Sequence, residues 1–225
     1  MNVSSKSTLT KAQPEDSDTR ELLLNAAGDL MLERGTVHIS FSDIAQKSGV
    51  NAALIKYYFG NKSGMLLELV RRAVGASVAQ LDGLLAMSLP ASEKLRIHIS
   101  GVVNTYHRYP YINRLLHYIL SLEDANYGEI IAEEVVKPLA AAQRRILEEG
   151  WASGQFRKVD PMLFYFHVVG ACDHLFYARN ALKRGFGVDE VTEELKMAYS
   201  RHLADMIFNG LLAPASGHSD ALPTT

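Results

Sequence analysis

Apolar residues return along most of this chain every three or four positions, the repeat of a helix with one buried face. Leu23, Ala26, Ala27, Leu30 and Met31 trace such a stripe up to Gly35, and Met65, Leu66, Leu69 and Val70 trace another behind Asn61. Asp18 with Glu21 forms a capping pair for the first of these helices, and Asn61 caps the second. From Gly75 onward the pattern stays helical, with little alternation of the strand type. Ser92 and Glu93 open a helix through Leu95, Ile97, Ile99 and Val102 that Pro110 stops after Tyr109, and residues 111–122 follow as another. Residues 130–149 read as one long helix kinked at Pro138 and closed by Gly150. Asp160 as cap and Pro161 at the first helical position open 161–182, which is apolar on nearly every face. The last helix, 190–211, turns Val191, Leu195, Ala198, Leu203, Ile207 and Leu211 inward. The predicted fold class is all-α.

Between the first two stripes the pattern shortens. In SFSDIAQKSGVNAALIKYYFGNK, residues 40–62, Ser40 and Asp43 have the spacing of a capping box, so a helix starts at Phe41. Ile44 and Ala45 face inward, Gln46 and Lys47 stay in water, and Gly49 supplies the left-handed residue that ends the helix after about two turns. Val50 plugs the turn. Asn51 caps the next helix, which runs through residues 52–58 and is about 10 Å long at roughly 1.5 Å per residue, comparable to the width of a DNA major groove. Two short helices joined by a glycine turn place the second in that groove. Asn51, Ala52, Ala53, Lys56 and Tyr57 lie on its outward side. Ser40, Ser42 and Lys62 are candidate phosphate contacts, Lys47 is as readily a solvated charge, and Tyr58 and Phe59 read first as core.

The spacing D-I-A-x-x-x-G-V, then Y-Y-F, then N-K, carried by Asp43, Ile44, Ala45, Gly49, Val50, Tyr58, Phe59 and Lys62, resembles the TetR family of one-component bacterial regulators. The resemblance implies that Lys62, at the positive end of its helix, clamps a phosphate. Where many members carry a tyrosine two residues before the Tyr-Phe pair, this chain has Lys56, followed by Tyr57. A lysine can bridge to phosphate or reach guanine, so the exchange is expected to change operator preference and not to abolish binding.

Charge adds little to that picture. The formal net charge is -2, and residues 18–74 hold seven basic and six acidic side chains. A motif, and not a basic surface, carries the DNA reading. With 225 residues, 48% of them apolar, the chain suffices for a head at 18–74 and a larger helical body at 75–213, to which the resemblance assigns ligand binding and dimerisation. Residues 1–17 and 214–225, rich in Ser, Thr, Pro and Lys or Gly, are expected to be disordered. A single cysteine, Cys172, and no cleavable leader point to the cytoplasm. No apolar run approaches the roughly 20 residues that span a bilayer, so no membrane partner is expected.

A helix apolar on every face must be buried on every face, and the last two helices can achieve this by packing on the same pair of a second copy. The chain is therefore expected to be a homodimer that places two reading helices on an inverted-repeat operator of double-stranded DNA. The resemblance implies a cavity in each body whose small-molecule effector releases the operator, making the protein a repressor. Candidate ligand contacts are Tyr106, Asn113, His117, Trp151, Phe166, Asp173 and Tyr177. Asp173 stands out, because a carboxylate among Val169, Gly170, Phe176 and Tyr177 needs a ligand, a partner, or an arginine from the second copy. No cofactor, metal or catalytic residue is expected. His167 and His174 lie about 10 Å apart along the axis, too far to chelate one ion. Cys172 and His174 point about 100° per residue away from one another along the helix, so the Cys-Asp-His run is not a catalytic constellation. The alternative function is a helical small-molecule binding protein without specific DNA recognition.

Overall fold

A computed structural model describes residues 14–122 and 125–212. The termini expected to be disordered lie outside these residues, apart from 14–17, which are helical. Among the described residues every named element is helical, and an isolated antiparallel bridge joins Phe156 and Leu212. The chain divides into two compact units at Leu69/Val70, ahead of the expected boundary at Val74.

In the first unit α1 (Pro14–Arg34), α2 (Phe41–Ser48) and α3 (Ala52–Phe59) are joined by the opening turns of α4 (Lys62–Ala79). α1 starts one turn before Asp18, with Pro14 at a first position where its missing N–H costs nothing. Asp18 therefore lies inside the helix and does not cap it. Leu23, Ala27, Met31, Ile44, Ile55, Met65 and Leu69 form the core, all of them almost wholly shielded from water.

The second unit continues from the end of α4 through α5 (Leu81–Ala86), α6 (Ala91–Arg108), α7 (Ile112–Leu120), α8 (Ala125–Ile131), a π-helical turn (Ala132–Val136), α9 (Lys137–Ala152), α10 (Pro161–Tyr177), α11 (Arg179–Phe186) and α12 (Glu193–Leu211). α6 is the central helix and packs against α9, α10 and α12. Its Leu95, Ile99 and Val103 are fully buried, with Ile146 of α9, Val168 and Phe176 of α10, and Ile207 of α12 in the same core. Lys94 is buried as well, its ammonium donating to the Leu85 carbonyl at 2.7 Å and to Glu149 at 2.8 Å. That pair ties α5 and α9 to α6, and losing either partner would strand a buried charge.

Several boundaries differ from the sequence reading. α6 starts at Ala91 behind Pro90, and the Ser92 hydroxyl makes no cap; the Ser92 amide is met by Gln155 Oε1 at 3.3 Å. The break expected at Pro138 is taken up upstream, in the π-helical turn, so that α9 carries its proline in the first turn, where the missing N–H is harmless. Gly150 does not end α9. A Cβ there would fall 2.0 Å from the Phe156 ring, so the glycine makes room for that aromatic, and the chain reverses at Gly154, where φ is +71°. The apolar run of 161–182 is divided after Tyr177, because the charged segment that follows buries no residue of its own and has no packing to hold it in line. α12 begins at Glu193 behind Thr192, whose hydroxyl accepts from the Leu195 amide at 3.2 Å. Leu203, Ile207 and Leu211 are buried as expected, whereas Val191 and Leu195 are half-buried and Ala198 is exposed.

Candidate functional site

The reading pair is held by its caps. The Asp43 amide donates to Ser40 Oγ at 3.1 Å, and the Ser40 amide donates to Asp43 Oδ2 at 3.0 Å, completing the capping box. Arg34, at the end of α1, donates to Asp43 Oδ1 at 2.9 Å. That guanidinium and the Ser40 groups hold the Asp43 carboxyl far below the usual carboxylate range, so it is ionised whenever the head is folded. At the other end of α2, Gly49 has φ +71° and donates its N–H to the Ala45 carbonyl at 3.0 Å. Asn51 Oδ1 then accepts the Ala53 amide at 2.8 Å and starts α3.

α3 is two-faced. Ile55 and Phe59 are buried, and the Arg20 guanidinium lies 5.3 Å from the Phe59 ring centroid. Asn51, Ala53, Lys56 and Tyr57 are exposed, while Ala52 is half-buried. Tyr57 is 73% exposed, a large ring left in water with its edge against Tyr58. Ser40 and Ser42 share a hydroxyl contact of 3.1 Å on the surface. Lys47 is exposed but paired with Glu33 at 2.5 Å, so a phosphate there would have to displace a carboxylate. Lys62 stands in the first turn of α4, where Asn61 Oδ1 takes the Gly64 amide at 2.8 Å. The outward face thus offers one long cation, one aromatic ring and small residues that permit close approach, a set able to meet base edges and sugar-phosphate walls.

The second unit encloses a cavity of about 550 Å³. Its wall is built by Val74, Ser77 and Val78 of α4, Leu81 and Leu84 of α5, Ile97, His98, Val102 and Tyr106 of α6, Ile112 and Leu116 of α7, Val135 of the π-helical turn and Leu139 of α9. Among the described residues no Asp, Glu, Lys or Arg lines it. His98 is 4% exposed, and Gln143 Nε2 stands 3.0 Å from its Nε2. Burial lowers the His98 pKa to about 4, so the ring is neutral near pH 7.

Two sequence patterns match this chain. The one described as bacterial regulatory proteins, tetR family, matches residues 23–69, and the tetracyclin repressor-like C-terminal domain matches residues 87–218. The chain belongs to the TetR family. Among curated relatives, the HTH-type transcriptional repressor NicS of Pseudomonas putida is 25% identical over 217 residues, covering 93% of this chain and 99% of that protein. The HTH-type regulator BetI of Agrobacterium fabrum is 42% identical over 52 residues, 23% of this chain, so the match spans only a quarter of that relative's length. Of solved structures, the Bacillus subtilis regulator FadR in complex with stearoyl-CoA superposes with a TM-score of 0.63 at 22% identity, covering 84% of this chain and 98% of that one. NalD, the secondary repressor of the MexAB-OprM efflux pump of Pseudomonas aeruginosa, gives 0.64 at 19% identity, covering 90% and 100%. These two show a shared fold.

Within this TetR-family body the expected ligand residues separate. Tyr106 is in the cavity wall. Asn113, His117, Asp173 and Tyr177 gather instead at α7 and α10, around Arg114, whose guanidinium sits 3.9 Å from the Tyr177 ring centroid. Burial raises the Asp173 pKa, against the hydrogen bond from Asn113 and the charge of Arg114. The carboxylate thus finds its partners within its own chain. Arg114 donates through Nη2 to the Pro110 carbonyl at 3.0 Å, and its Nε and Nη1 are buried with no acceptor among the described residues. Trp151 donates its indole N–H to the Arg157 carbonyl at 2.9 Å, and Phe166 is exposed on α10. The cavity-lining residues of α4, α5 and α9 were not legible beforehand, because apolar side chains facing a void carry the same helical spacing as those facing a neighbour. Glycine gave no signal either, since helical Gly75, Gly170, Gly185 and Gly210, outside the wall, are as open as Gly83 and Gly101. Both are helical glycines in the cavity wall, and an added Cβ at either would meet nothing within 4 Å.

Proposed function

We propose that this protein is a ligand-responsive repressor that binds an inverted-repeat operator as a homodimer and lets go when a small molecule fills the cavity of its body. The carrying observation is the continuity of α4. Its first turns bury Met65, Leu66 and Leu69 in the head, while Val74, Ser77 and Val78 of the same helix form one wall of the cavity. A helix is stiff over this length, so a ligand that pushes on the last turns acts on the first. The π-helical turn adds a second hold on the same helix. Its Glu134 receives Arg71 of α4 through two bonds, Nε to Oε2 at 2.8 Å and Nη2 to Oε1 at 2.5 Å, and its neighbour Val135 faces the cavity.

Dimerisation is supported by the face that α10 and α12 leave uncovered. Met162, Leu163, Phe166 and Tyr177 on α10 and Met197 and Met206 on α12 are all about half exposed or more in the single chain. Apolar side chains at this density on adjacent helices are a typical subunit interface. The full-length relative NicS is named a repressor, which supports that sign of output. A regulator of this kind works on DNA in the cytoplasm. No helix among the described residues is long and apolar enough to cross a membrane.

Selection of binding sites from a random duplex pool near physiological salt, followed by titration of the enriched duplex against a scrambled one, tests the proposal. An inverted repeat bound roughly a thousandfold more tightly than the scrambled duplex is the expected result. Folded, dimeric, ligand-free protein that enriches nothing would reduce the chain to a small-molecule binder.

A further inference from the structure

We propose that the cavity takes an uncharged, largely apolar molecule with one hydrogen-bonding end, and that this end lies against His98. This rests on the reading of the cavity as the effector site. A volume of about 550 Å³ is that of a site for a small organic ligand and not for a water cluster. Its wall offers aliphatic side chains from six segments and, among the described residues, not one formal charge. An ion entering it would lose its hydration with nothing in the wall to replace it, a loss of several kcal/mol in a site of this polarity.

The polar groups of the wall sort into two sets. Ser77, Gln80 and Thr105 lie toward solvent, and the Thr105 hydroxyl is already spent on the Gly101 carbonyl at 3.0 Å and on Ser77 at 3.3 Å. His98 and Tyr106 are the deep pair, both buried. The Gln143 amide occupies His98 Nε2 at 3.0 Å, which leaves Nδ1 of the neutral ring to meet a polar group of the ligand. A hydroxyl suits that nitrogen, because it both donates and accepts. Met87 and Ile97 of the wall are nearly half exposed and mark the mouth, and Gly83 and Gly101 are exposed beside it with open space where a side chain would stand.

Three probes of equal chain length separate the possibilities: decanol, decanoate and decyltrimethylammonium, each titrated calorimetrically into full-length protein without DNA. Decanol is expected to bind roughly tenfold or more tightly than either ion. Gly101→Phe should remove decanol binding with the thermal midpoint retained, and Gly83→Leu serves in its place if the first variant does not fold. Tighter binding of either ion, binding of none of the three, or decanol binding unchanged in the plugged variant would each overturn the assignment. Operator release is read separately. Decanol that binds at this site yet leaves the operator complex intact would leave the ligand class standing and refute the effector role of the cavity.

Discussion

Lys56 and His98 each concentrate one half of the proposed activity in a single side chain. Lys56 is exposed on α3 in the company of Tyr57 and two small residues. If it reads a base, Lys56→Ala should lose roughly 1 to 3 kcal/mol on the operator and relax selectivity at one position in each half-site, as measured by titration against single-base operator variants. A uniform loss across all sequences would reassign it to phosphate. His98 is coupled to stability through its depressed pKa, because the unfolded chain binds a proton there at 6.5 and the folded chain only at about 4. Between these values unfolding takes up a proton, so stability is intact above pH 6.5 and falls as pH drops through the window, by on the order of 3 kcal/mol at its lower end. Denaturant midpoints from pH 7 to 4.5 should therefore fall more steeply for the natural protein than for His98→Gln. Parallel curves would place the acid sensitivity elsewhere. Ser40, Asp43, Gly49 and Asn51 were legible in the sequence because a cap or a left-handed turn needs particular atoms at fixed spacing. His98 offers no such fixed spacing, since its partner Gln143 is 45 positions away.

Among the elements, the π-helical turn has the clearest role to test. It displaces the chain where an unbroken helix would carry Glu134 round to another face, and so presents Glu134 to Arg71 and Val135 to the cavity in consecutive residues. Glu134→Gln should leave ligand binding close to the natural value while raising the ligand concentration needed to release DNA several-fold, since the pair is half exposed and contributes little to overall stability. An unchanged release curve would mean that the wall of α4 alone transmits the signal. The sequence announced this region as a proline kink. What it could not convey is that the irregularity falls before the proline, because a π turn is decided by packing on both sides and leaves no residue signature.

For the molecule as a whole, the exposed faces of α10 and α12 set the expectation of a dimer. Phe166→Asp places a charge at the centre of that surface and is expected to yield monomers by sedimentation at micromolar concentration, with operator affinity falling by two orders of magnitude or more, because one head binds one half-site. A dimeric variant with normal affinity would put the interface on other helices. The sequence exposed the need for a partner, in a helix apolar on all sides, more clearly than it exposed the cavity, which exists only where separate helices fail to meet. The chain's single tryptophan adds a practical consequence. Trp151 is outside the cavity wall and is hydrogen-bonded to the Arg157 carbonyl, while Arg157 itself takes the Leu211 and Gly210 carbonyls at 2.8 and 2.6 Å. Intrinsic fluorescence of this protein is therefore a reporter on the seam where α12 ends against the α9–α10 loop. An emission change on adding an effector will register motion of that seam, and a silent spectrum will say nothing about occupancy.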